Sequence, residues 1–133
     1  MKSDILIKDD IYGVLKDSAL ASAVTGKVCK QGVRPKGSKL EDVVISVVAN
    51  MNGQIQDAIV NVNIYVADDQ KKDGSFQEST IRLRELCSLA YKTLDKRYGD
   101  GYRFYIESQR VLEVADTHEH VINNRIIYKY LNE

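Results

Sequence analysis

His118 and His120 are the residues whose type and spacing come nearest to chemistry. They flank Glu119, and Asp116 lies close by. Alternate side chains on a strand point to one side, so two such imidazoles face the same way, as a metal site requires. No third strong ligand stands at a recognisable spacing, and hydrogen-bonded hairpin histidines are the competing assignment. The paired acids Asp9-Asp10 and Asp68-Asp69 are neighbours in sequence, so their side chains diverge; they read as solvated ends rather than an acid–base pair. Cys29 and Cys87 are far apart with no metal-ligand spacing and nothing to support a disulfide between them. Both read as reduced, and Cys87 sits on an apolar helical stripe, the usual place for a small core residue. There is no Gly-x-Ser-x-Gly and no glycine-rich phosphate loop. Gly99-Asp100-Gly101 follows a helical segment rather than a strand, so it reads as a helix stop. The expectation is a non-enzymatic protein with no catalytic residue, no metal and no cofactor.

A second chemistry is electrostatic. Lys27, Lys30, Arg34, Lys36 and Lys39 are five cations with no acid before Glu41. One reading is a solvated loop, the usual fate of a charge run. The other is an electropositive loop that meets an acidic protein or DNA, which would make the chain a small nucleic-acid-associated or regulatory binding module. No aromatic residues are interleaved, so stacking on single-stranded bases is not supported.

The elements that must position these residues follow from periodicity. Ile7, Ile11 and Leu15, with Val14 beside them, mark a helix over Ser3–Leu15, capped by Ser3 or Asp4. Asp17-Ser18 offers a second cap for a short turn over Ala19–Val24, ended by Thr25-Gly26. Val28–Val33 reads as a short strand and Arg34–Lys39 as a loop. Asp42–Ala49 and Gln56–Val66 form a hairpin through Asn50-Met51-Asn52-Gly53. In it Ala58, Val60, Val62, Ile64 and Val66 share one face. Asp68–Ser75 is a charged loop. Leu83, Leu86, Cys87, Ala90, Tyr91 and Leu94 give a helix over Glu78–Tyr98, and Tyr102–Val114 and His120–Leu131 are two closing strands. The order predicts an α+β domain over residues 1–133: a mainly antiparallel sheet of four to five strands with two main helices packed on one face.

Composition agrees with a folded chain. Apolar residues are 44% and charged residues 29%, and Lys plus Arg equals Asp plus Glu at nineteen each, so net charge points to no partner class. The amino terminus does not read as a signal peptide, and no apolar run approaches the ~20 residues of a membrane span. Two helices cover one sheet face, yet the other face of the hairpin is also apolar. Val44, Val48, Ile59 and Tyr65 lie out of phase with the core set; one reading is that a loop or terminal strand folds over them or that they belong to the core, and the other is that together they form an oligomer interface. Burial of ~400 Å² there stabilises by roughly 10 kcal/mol, against an association cost of about 4–15 kcal/mol. Two contacts per subunit in a closed ring therefore suit it better than one contact in a pair.

Several short runs resemble one family. Asp17-Ser18-Ala19-Leu20, Thr25-Gly26-Lys27-Val28, Arg34-Pro35 with Gly37-Ser38, and Glu41-Asp42-Val43-Val44-Ile45 are similar to the opening half of small tail-completion proteins of tailed phages and prophages. That group includes the tail-terminator and head–tail joining proteins. Asn61–Val66, the later helix and the strand from His120 through Asn123, Asn124, Arg125 and Ile126 fit the same order. The loop Asp68–Ser75 matches no feature of the group. The resemblance implies a structural virion protein without catalysis. It implies a ring, often of six copies, at the end of the tail tube, joined to tail-tube and head-connector proteins. It implies residence in the virion, and in the bacterial cytoplasm during assembly. DNA passing through such a ring would give the loop around Arg34 a purpose.

Overall fold

The computed structural model describes residues 1–132. The chain opens with two helices, α1 (Asp4–Leu15) and α2 (Ala19–Ala23). The hydroxyls of Ser3 and Ser18 accept from the backbone N–H of Leu6 and Ala21 and so start the two helices. Strands β1 (Val28–Cys29), β2 (Val43–Met51) and β3 (Ile55–Ala67) follow. A small ribbon is made by β4 (Asp69–Gln70) and β5 (Phe76–Gln77). Helix α3 (Thr80–Leu94) and strands β6 (Arg97–Tyr98), β7 (Tyr102–Val114) and β8 (Glu119–Leu131) complete the fold.

Six strands form one sheet in the order β1-β2-β3-β8-β7-β6. All neighbours are antiparallel except β1 and β2. The long closing strand β8 lies at the centre, pairing with β3 from Ile55↔Leu131 to Ala67↔Glu119 and with β7 on its other side. The alternation expected for β3 holds throughout: Ala58, Val60, Val62, Ile64 and Val66 are all buried. They meet Ile7, Ile11 and Leu15 of α1, Leu83, Leu86 and Leu94 of α3, and Phe104, Ile122, Ile126 and Tyr128 from the other strands in one apolar cluster.

The mixed helix–sheet class agrees with expectation, but the detail is richer. Among the described residues there are six strands in the main sheet, a separate ribbon and three helices. Four segments differ from their sequence reading. The strand expected over Val28–Val33 is only two residues long, because the chain turns away at Gly32 (φ 83°). The charged loop Asp68–Ser75 contains β4 and the turn of the β4–β5 ribbon. Its turn is closed by Lys71 N–H donating to Ser75 O at 2.7 Å and by Gly74 at φ 87°. The later helix stops at Leu94, not at the glycines. Asp95 is extended and Lys96 takes φ 53°. The Arg97 guanidinium donates to the carbonyls of Thr93 (2.6 Å) and Lys92 (3.1 Å), satisfying helix-end acceptors with a side chain. Gly99 to Gly101 is instead the turn between β6 and β7.

Candidate assembly surface

The residues 25–42 build a polar clasp at one corner of the sheet. Gly26 N–H donates to Glu41 O, Glu41 N–H to Thr25 Oγ1, and Lys27 N–H to Asp42 Oδ1. Arg34 then crosses the open face. Its Nε donates to Asp42 Oδ2 at 3.0 Å, while Nη1 and Nη2 reach both oxygens of Glu119 at 3.1 and 3.0 Å. The guanidinium also lies 4.1 Å from the Tyr65 ring centroid, a stacked and bidentate arrangement that suits arginine better than lysine. Asp42 and Glu119 side chains are only 1% and 2% exposed. Burial alone would push the Asp42 carboxyl up. Hydrogen bonds from the Ser38 hydroxyl, the Lys27 N–H and Arg34 outweigh it and hold the group below its ordinary value. On the far side Arg82 of α3 grips Glu41 with two short contacts and the Ala23 carbonyl with a third.

This geometry separates the five expected cations. Arg34 is held inside the molecule by two carboxylates. Lys30 pairs with Asp9 at 3.0 Å and lies over Tyr12. Lys27, Lys36 and Lys39 are exposed, and their amines make no ion pair among the described residues. The expected electropositive loop is thus split, with its central cation facing inward.

The expected interface residues also separate. Val44 is 5% exposed, set between Cys29 of β1 and Asn63 of β3. That burial corrects its assignment to a contact surface. Tyr65 is half-buried with Arg34 on its ring. Ile59 is half-buried, and Val48, 54% exposed, is the extra residue of a β-bulge between Val47 and Ala49. The open sheet face is banded rather than uniformly apolar. One row across four strands is Ala49, Ile59, Ile127 and Tyr105. The next rows are polar: Ser46, Asn61, Arg125 and Ser108, then Asn63, Asn123 and Arg110, with Asn123 donating to Asn63 at 2.7 Å. On the other flank Lys129 meets Asp57 at 2.6 Å.

The two histidines take different partners. His118 sits at φ 54° in the β7–β8 turn and stacks on Phe76 with ring centroids 3.8 Å apart. His120 Nδ1 lies 2.6 Å from Asp68 Oδ1. Together they fasten the β4–β5 ribbon to the sheet. No group of three or more metal-ligating side chains comes together among the described residues. Cys29 and Cys87 are free thiols, and burial raises both above the ordinary thiol range, which disfavours the nucleophilic thiolate. Among the described residues no helix is long and apolar enough to cross a membrane.

Sequence reasoning missed the clasp as a site, although its members stood in view. Thr25-Gly26-Lys27, Arg34, Ser38 and Glu41-Asp42 are among the residues that carried the family resemblance. Opposed charges at fixed places in short polar runs were the available signal.

No protein-family model matches the chain, and no curated protein matches it. Among solved structures, it is similar to a chain from the virion of a native gene transfer agent (GTA) particle, at 12% identity and a TM-score of 0.58, over 95% of each chain. What the two chains share is therefore a fold, along nearly their whole length.

Proposed function

We propose that this protein is a structural component of a phage-like particle: a tail-completion protein that assembles into a ring at the end of the tail tube and joins tail to head, without catalysis. The observation that carries this reading is the fold likeness, over 95% of both chains, to a chain of a gene transfer agent virion. The tail-completion role rests on the order of elements and on the short runs between Asp17 and Ile45. Its partners in this reading are further copies of itself, tail-tube and head-connector proteins, and the DNA that passes them. The exposed apolar residues on the sheet support contact with other proteins. The nucleic-acid module is the weaker reading, because Arg34 is held by Asp42 and Glu119.

The test is genetic. The gene should lie beside tail-tube, tape-measure or portal genes. Its deletion from the particle-producing element should leave heads and tails that accumulate unjoined, seen by electron microscopy of lysates. Joined, infectious or DNA-transferring particles from the deletion would overturn the proposal.

A further inference from the structure

The main sheet has two long open edges. β1 pairs with β2 only at Val43 and Val44, and β6 pairs with β7 only at Arg103 and Phe104. Beyond those points the outer backbone of β2 from Ile45 to Met51, and of β7 from Tyr105 to Val114, has no strand beside it among the described residues. One group on the β7 edge is satisfied locally: Ile106 N–H donates to Asp95 Oδ1 at 3.1 Å. Folded proteins usually guard such edges with lysine, proline or inward charge. The β2 edge has neither a charge nor a proline from Ile45 to Met51, and its one guard among the described residues is the bulge at Val48.

The shoulders of both edges are apolar. Val48 and Met51 flank β2 at 54% and 55% exposed, and Tyr105, Val111 and Leu112 are exposed along β7. Where β6 ends, a depression of about 420 Å³ opens beside the β7 edge, lined by Tyr91, Tyr98, Phe104, Tyr105 and Ile106 among others. It can receive a side chain such as Met51 from a neighbouring strand.

We infer that β2 of one copy pairs with β7 of the next, so that the sheet continues from molecule to molecule. This rests on the assembly reading above and adds which surfaces meet. The two edges differ, and that difference selects the partner. β7 carries Glu107, Arg110 and Glu113, whereas the exposed part of β2 is uncharged. Self-pairing of β7 about a two-fold axis centred on its open segment brings two copies of Arg110 close together, which is unfavourable. Self-pairing of β2 sets two bulges at Val48 against each other. Joining β2 to β7, which has its own bulge between Ile106 and Ser108, keeps the two arginines apart and occupies both edges of every copy, the head-to-tail contact that closes into a ring or grows. The β2 edge spans about 23 Å at ~3.3 Å per residue, enough for main-chain hydrogen bonds to add to the apolar shoulders.

The experiment uses the full chain and light scattering from micromolar to near-millimolar protein. One variant carries Val48→Lys with Met51→Lys; the other carries Tyr105→Lys with Leu112→Lys. Wild type should assemble as concentration rises. Each variant alone should associate at least tenfold more weakly and stay monomeric, with circular dichroism unchanged. An equimolar mixture should form a dimer, because each variant retains the edge the other lacks. Should a double variant lose its fold, Met51→Lys and Leu112→Lys carry the same comparison. Assembly of either variant alone like wild type, a mixture that stays monomeric, or a monomeric wild type at every concentration would overturn the inference. The unjoined heads and tails expected on gene deletion are an independent readout. A failure here with that phenotype intact moves the contact elsewhere and leaves the structural role standing.

Discussion

Arg34 stands 17% exposed between two carboxylates that are almost wholly enclosed. Removing its guanidinium leaves Asp42 and Glu119 without their counter-charge, so Arg34→Ala should destabilise the fold by about 3–5 kcal/mol, read from urea denaturation. Arg34→Lys should recover only part of that, since a lysine cannot span both acids. The same cluster sets an acid limit. The folded Asp42 carboxyl lies below its ordinary value, so the folded state binds fewer protons there than the unfolded chain. Its stabilising contribution is complete above the unfolded value of about 3.9. It is lost as pH falls through the depressed folded value. Denaturation midpoints should drop below about pH 4 in wild type and fall less steeply in Asp42→Asn, whose starting stability is lower. At this scale the sequence displayed the cations but hid their use. Nothing local to residues 27–39 announces a partner at position 119, 85 residues away.

The elements whose register comes from their own pattern were legible: the starts of α1 and α2 at serine caps, the alternation of β3, and the β7–β8 hairpin. Those whose limits come from tertiary contacts were not. Helix α3 ends where Asp95 turns to cap Ile106 N–H and Arg97 turns back onto the Thr93 and Lys92 carbonyls, so the glycines four residues later no longer mark its end. Strand β1 is short because the chain must leave it to form the clasp. The close approach that makes this corner is visible at Gly26. A Cβ there would lie 2.4 Å from Asp42 Oδ1 and 2.6–2.7 Å from the Glu41–Asp42 backbone. Gly26→Ala should therefore part β1 from the 41–42 segment and cost about 1–3 kcal/mol, whereas Gly13→Ala, with open space around it, should be neutral to mildly stabilising. Paired melting curves of the two variants check the contrast.

At the scale of the whole molecule, one side of the sheet was predictable and the other was not. The helix-facing side follows from simple periodicity. The opposite side is banded: β3 (Asp57, Ile59, Asn61, Asn63) and β8 (Lys129, Ile127, Arg125, Asn123) each carry the same order of apolar and polar residues, and the register between the strands aligns these into rows. The clasp has a further consequence in time. Its Arg34–Glu119 contact joins a crossover early in the chain to the first residue of the last strand. A contact that waits for β8 to be seated between β3 and β7 is expected to form late, after the barrier to folding. Replacement of Arg34 should then leave the refolding rate nearly unchanged and appear almost wholly as faster unfolding, a φ-value near zero in stopped-flow measurements. The crossover is in this sense a bolt drawn last. It lengthens the lifetime of the native state without guiding the chain toward it.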